Sequence, residues 1–199
     1  ITIIKRELMG TDKLTELSKK IYQNHKELFD FINEHKPDVL DEMGVILKNQ
    51  LKSKGYLIGS SSKKRVRFTT QNILDLTYIN KNEKWWKNGE SFLFEFILYE
   101  EKNKLIFKVV ISPSDKVYDV NRLKEMLLEI DGFAEPRGKK WLVTHRKSYT
   151  YDYTSISDKT PEEIKDEMDK VIEKVLPVLS KVEDKFTENK KELLELKNV

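Results

Sequence analysis

The sequence predicts an α+β fold: a small antiparallel sheet of about four strands with a covering helix, plus an N-terminal helical pair packed with a long C-terminal heptad helix. Three observations carry this. Residues 91–99 and 104–113 are two strongly apolar runs joined by a four-residue turn, the pattern of an antiparallel hairpin. Residues 11–35 place Leu14, Leu17, Ile21, Leu28 and Phe31 at steps of three, four and seven, the period of an amphipathic helix. From Met168 to Leu196 apolar residues alternate by four and three without a slip, interrupted only by Asn189, which is a heptad seam.

The elements follow in order. The first helix is expected over residues 11–35 and ends before Pro37, because proline disfavours helix in the residue before it. Pro37 suits the start of a second helix with Leu40, Met43, Leu47 and Leu51 inward, and Gly55 stops it. Residues 59–62, Gly-Ser-Ser-Ser, read as a flexible loop and residues 65–70 as a strand. On the first hairpin strand Phe92, Phe94, Phe96 and Leu98 share one face. Leu93, Ile97 and Tyr99 share the other, where Glu95 is the only charge, so this strand should be covered on both sides. A helix over residues 117–130 points Val120, Leu123, Leu127 and Ile130 inward, and a last strand over residues 141–153 alternates Trp141, Val143, His145, Tyr149, Tyr151 and Tyr153 onto one face.

The final helix has the sharpest start: Thr160-Pro161-Glu162-Glu163 is a capping box with proline at the first helical position. Pro177 lies off its seam and should kink it. The first and last helices each carry one seam asparagine, Asn24 and Asn189, and are expected to pack lengthwise with these residues fixing register. A homodimer through the C-terminal helix is the competing arrangement. The organisation expected is one domain over residues 1–199, with the helical pair at 1–55, the sheet and its helix at 64–153, and the long helix at 158–197.

Composition narrows the function classes. Charged residues make up 36%, against roughly a quarter in a typical domain, which suits long solvated helices around a modest core. The absence of cysteine excludes disulfides, thiolate zinc sites and a cysteine nucleophile. No apolar run approaches the roughly 18 residues that span a bilayer, so a cytoplasmic location with no membrane partner is expected. The chain begins at Ile1 without an initiator methionine, consistent with a piece of a longer polypeptide.

The net charge of +3 conceals segregation. Between Met43 and Leu74 there is no acidic residue, while Lys48, Lys52, Lys54, Lys63, Lys64, Arg65 and Arg67 are basic. Arg137, Lys139, Lys140, Arg146 and Lys147 form a second basic stretch. Cations on strands beside Phe68, Tyr149 and Tyr151 have the pattern that tracks phosphates and stacks bases, although aromatic stripes on strands also build cores. Lys63, Lys64, Arg65, Arg67, Arg146 and Lys147 are the expected phosphate contacts.

No catalytic residue, metal ligand or cofactor site emerges. Glu100-Glu101-Lys102 has the short carboxylate-lysine spacing of a magnesium nuclease but sits on the hairpin turn, and similar triplets on the last helix are frequent in a chain this rich in Glu and Lys. His25, His35 and His145 lack ligand spacing and read as packing or surface residues. Glu95 is a candidate buried carboxylate, expected to pair with a neighbouring-strand cation such as Lys108 or Arg146.

The stretch from Ile21 to Asp38, then Val66-Arg-Phe68, Trp86, Gly89, Leu93-Phe-Glu-Phe96, the run from Lys104 to Ser114, and Arg122-Leu123 resemble the C-terminal region of poorly characterised bacterial proteins of the PD-(D/E)XK nuclease superfamily. The resemblance covers nearly the whole chain. It implies an accessory domain whose catalytic strands lie upstream, so no catalytic residue is carried over. Where those proteins show a Gly-Pro-Gly-like turn, this chain has Ser112-Pro-Ser114-Asp115, which weakens a phosphate-cradling loop there. The expected function is a non-catalytic accessory module of a nuclease-like protein, binding nucleic acid or an assembly partner through a basic surface. Expected partners are nucleic acid and an upstream nuclease-like domain or a second copy. A helix-mediated dimer and a magnesium-dependent nuclease are the alternatives.

Overall fold

Five antiparallel strands in the order β1-β2-β3-β4-β5 form a simple meander, flanked by helices, so the fold is α+β. The computed structural model describes residues 11–35, 39–77, 92–99, 104–111, 119–136, 138, 141–150 and 159–195. The chain divides into two compact units, Ile1–Asp38 and Val39–Val199.

The first unit contains α1 (Thr11–Asn24) and α2 (Lys26–His35). One helix was expected over residues 11–35, and the structure breaks it at His25. There the His25 N–H is shared between the carbonyls of Ile21 and Tyr22, at 3.1 and 3.3 Å. Tyr22 spans the break by donating to Asp30 (3.0 Å), which also pairs with Lys26. Leu17, Ile21, Leu28, Phe31 and Ile32 are exposed.

The second unit begins with α3 (Val39–Ser53), then β1 (Leu57–Ile58) and β2 (Arg65–Thr69). Gly55 takes a positive φ of 87°, which turns the chain out of α3 and lets Leu57 and Ile58 pair with Thr69 and Phe68. This short strand is the one the sequence did not suggest. A second unexpected element is α4 (Gln71–Thr77), started by Thr70, whose hydroxyl accepts from the Ile73 N–H at 3.2 Å. The hairpin is β3 (Phe92–Tyr99) with β4 (Lys104–Ile111), in the register that places Phe94 opposite Val109 and Glu95 opposite Lys108. The covering helix α5 (Val120–Leu128) starts where Asp119 accepts from the Asn121 and Arg122 N–H groups. Then come β5 (Leu142–Thr150), α6 (Pro161–Glu188) and α7 (Lys190–Glu195).

The capping box of α6 is formed. Thr160 Oγ1 accepts from the Glu163 N–H, and Glu163 accepts from the Thr160 N–H at 2.8 Å. The helix continues through Pro177 as one 28-residue element, about 42 Å long at 1.5 Å per residue. Its seam residues Met168, Ile172, Val175, Leu179, Val182 and Phe186 are all buried in one cluster with α3, α4, α5 and the sheet. The sequence expects this stripe to pack with the first helix; within residues 39–199 it packs on these elements. Asn189 caps α6, its side chain donating to the Lys185 carbonyl at 2.8 Å.

Phenylalanines dominate the helix-covered face of the sheet. Phe68 stacks on Phe96 (5.5 Å between centroids), Phe94 on Phe107 (5.9 Å), and Phe92 meets Phe186 of α6 edge-on at 5.0 Å. Burying each ring contributes roughly 2–3 kcal/mol from its apolar area.

The last strand departs from simple alternation. Val109 is opposite His145 but Val110 is opposite Val143, so Thr144 is an extra, bulged residue. Trp141 and Val143 therefore face the side away from the helices, packing with Leu93 and Val110, while His145 and Tyr149 turn toward the core side. The expected single aromatic face is split in two. Tyr151 and Tyr153 lie outside the described residues.

Candidate functional site

The sheet face opposite the phenylalanine core carries a straight row of charges. In register, Arg67 of β2 lies opposite Glu95, Glu95 opposite Lys108, and Lys108 opposite Arg146 of β5. Directly opposed residues on antiparallel strands point to the same side with Cβ atoms about 5 Å apart, so the row is one continuous cluster. Arg65, two residues along β2, joins it.

Glu95 is its centre. Its side chain is 8% exposed, and it receives Arg67 Nε at 2.9 Å, Arg65 Nε at 3.2 Å and Lys108 Nζ at 3.8 Å. Lys108 was among the expected partners; Arg65 and Arg67 are additions. A carboxylate this buried needs such compensation, since breaking a buried pair leaves an uncompensated charge. Three cations nevertheless surround one anion, and Arg146 lies next to the third. Burial pushes the Lys108 ammonium below the usual lysine range; Glu95 opposes this shift, while Arg146, Arg65 and Arg67 add to it. Among the described residues the cluster is therefore short of negative charge.

The loop before β2 holds the arginines. The Gly59 N–H donates to the Arg67 carbonyl (2.9 Å), Ser61 Oγ accepts from the Arg67 N–H (3.2 Å), and Arg67 Nη1 donates to Ser60 Oγ (3.1 Å). The segment expected to be a flexible loop is instead a hydrogen-bonded clasp. Gly44 of α3 sits beneath its far end, where a Cβ would come within 2.6 Å of the Lys63 carbonyl.

The six expected phosphate contacts are thus divided. Arg65, Arg67 and Arg146 belong to the row. Lys63 pairs with Asp41 at 3.0 Å. Lys64 is exposed in the turn before β2, its carbonyl accepting from the Leu98 N–H at 2.9 Å. Lys147 is exposed on the opposite face, its ammonium 5.8 Å from the centre of the Tyr149 ring. Of the expected stacking aromatics, Phe68 and Tyr149 are buried on the core side, and Tyr151 lies outside the described residues. So do Arg137, Lys139, Lys140, Trp85, Trp86 and the Glu100–Lys102 triplet. Two residues are absent from the expected site, Lys108 of the row itself and Trp141 beside it. The first was readable: a four-residue turn between Tyr99 and Lys104 places residue 108 opposite residue 95.

His145 is a packing residue, 5.0 Å from Phe133 and 6.2 Å from Phe107 between ring centres. Its Nδ1 lies 3.0 Å from the Gly132 carbonyl, so that nitrogen carries the proton. Among the described residues no three His, Asp or Glu side chains are placed to hold a metal ion, and no helix is long and apolar enough to cross a membrane. No family model matches the chain, and no curated protein or solved structure matches it either.

Proposed function

We propose that this chain is a non-catalytic nucleic-acid-binding module, acting as an accessory part of a nuclease-like assembly. The observation that supports it most is the cation excess on the outer sheet face, where Arg65, Arg67 and Lys108 share the carboxylate of Glu95 and Arg146 lies beside Lys108, with no second carboxylate in the row among the described residues. A strand-borne cation cluster can meet a phosphate backbone without a groove-reading helix. The accessory role draws on the family resemblance of the sequence.

The test is a salt series on labelled single- and double-stranded oligonucleotides. Affinity should fall by about 0.7–0.9 log units per log unit of salt for each phosphate engaged. Arg146→Glu should weaken binding and reduce that slope by about one. No binding at low salt, or a flat salt response, sinks the proposal.

A second reading, self-association, is favoured by the exposed Leu17, Ile21, Leu28, Phe31 and Ile32 of the N-terminal unit. The C-terminal seam does not serve it, because Leu179 is core and Leu179→Asp would unfold the domain. Leu28→Glu with Phe31→Glu is the informative variant. Light scattering should then fall from a dimer mass to a monomer mass; a monomer in the parent chain removes this reading.

A further inference from the structure

Two pockets on the outer sheet face meet at Lys108, Trp141 and Val143, which line both. The smaller, about 160 Å³, is otherwise walled by Arg65, Arg67, Glu95 and Val110. The larger, about 530 Å³, extends along β5 past Thr144, His145 and Arg146 to the segment around Gly132 and Ala134. That segment is tied to the strand by the Ala134 N–H, which donates to the carbonyl of the bulged Thr144 at 2.9 Å.

The two pockets differ in chemistry. The smaller sets three cations against one carboxylate, an excess of two positive charges. A phosphomonoester carries about −1.5 to −2 at neutral pH, whereas an internal phosphodiester carries one charge. Its volume suits one phosphate group, and its guanidinium groups suit phosphate oxygens. The larger pocket falls in the range of small-ligand sites, about 300–1,000 Å³, and offers an indole as one wall. Arg146 and Glu135, which also line it, set guanidinium donors and a carboxylate acceptor near that wall. An aromatic wall with polar side chains beside it suits a nucleobase, whose π-face and edge use both.

We propose that the paired pockets take one nucleotide unit, its terminal phosphate on Arg65, Arg67 and Lys108 and its base beside Trp141. This rests on the nucleic-acid reading above and narrows it to a 5′-phosphorylated single-strand end, with a free nucleoside monophosphate as the other source of the same chemistry.

The experiment uses the full chain and a 3′-labelled dT octamer carrying either a 5′-phosphate or a 5′-hydroxyl, with dTMP, thymidine and inorganic phosphate as competitors. The 5′-phosphate octamer should bind at least tenfold tighter than the 5′-hydroxyl one. The dTMP should abolish that margin at concentrations where thymidine does not. Trp141→Ala and Lys108→Met should each erase the margin, and Trp141→Phe should restore it in part. If the first two variants melt early, Val143→Phe, which narrows both pockets with an apolar group, carries the same expectation. Equal affinity of the two octamers overturns the nucleotide pocket and leaves surface binding standing. Inorganic phosphate competing as well as dTMP overturns the base assignment. Binding of dTMP without either octamer keeps the pocket and overturns the nucleic-acid reading, and binding of none of them overturns both.

Discussion

The two faces of the sheet bury their residues to nearly the same degree by opposite means. On the helix side Phe92, Phe94, Phe96 and Leu98 of β3 are shielded by other apolar groups from β2, β4 and the helices. On the far side Leu93, Glu95 and Ile97 of the same strand are also buried, but the middle position is a carboxylate. It is kept there by cations from two neighbouring strands. One face gains stability from area removed from water, which is insensitive to salt; the other balances desolvation against charge, which is not. A burial pattern alone would call both faces core. Only the charge balance tells the two faces apart: one is apolar throughout, and the other sets several cations around one carboxylate.

Removing a ring from the first face should have the largest effect. Phe94→Ala should cost about 3–5 kcal/mol in chemical denaturation, combining lost transfer energy with a cavity among Phe68, Phe92 and Phe107. Adding phosphate or sulfate should not recover it. A cost under about 1 kcal/mol would mean this face is not the principal core.

Next in size is the centre of the second face. Glu95→Gln keeps the shape and removes the charge that Arg65, Arg67 and Lys108 share, and should cost about 3 kcal/mol at low salt. Unlike the ring deletion, this loss should shrink as phosphate is added, because an anion bound to the native cluster stabilises it by mass action. If phosphate raises the melting temperature of Glu95→Gln no more than that of the parent chain, the face is a closed ion-pair network. Gly44→Ala comes third, at about 1–3 kcal/mol, since its Cβ meets the Lys63 carbonyl at 2.6 Å and α3 or the clasp must shift.

The same contrast explains what could be read from the sequence. The hairpin was legible because its two strands are long, its turn is short, and a period of two assigns every side chain to a face. Once 95 is opposite 108, the central pair of the charged row follows. Arg146 and Lys147 were grouped as one site, yet adjacent strand residues point to opposite faces, and the structure separates them. The bulge at Thr144 left no local mark. It depends on the Ala134 N–H reaching the Thr144 carbonyl from outside the strand, so Trp141 was assigned to the wrong side relative to His145. The heptad seam of α6 reads as a buried stripe, and within residues 39–199 it packs on α3, α4, α5 and the sheet. Periodicity states that a face is buried and is silent about whether another helix or a sheet buries it.

The smallest expected effect tests the edge where the two faces meet. His145 turns toward the core side of β5, while the bulge beside it turns Val143 to the other. Burial lowers its pKa from the ordinary histidine value; the Gly132 carbonyl opposes this, and the positive charges of Lys147 and Lys181 reinforce it. With the folded pKa below the unfolded one, the unfolded chain takes up the proton first as pH falls. The stability His145 contributes is therefore complete above about pH 6.5 and is lost as pH falls through the folded pKa. His145→Gln cannot titrate, so the stability difference between the parent chain and this variant should change in that window and be constant above it. Carboxylates titrating at lower pH are common to both proteins and cancel in the difference. A flat difference from pH 7.5 down to 5 would show that the ring takes up its proton equally well folded, and so that the edge of the sheet is open to water at Nε2.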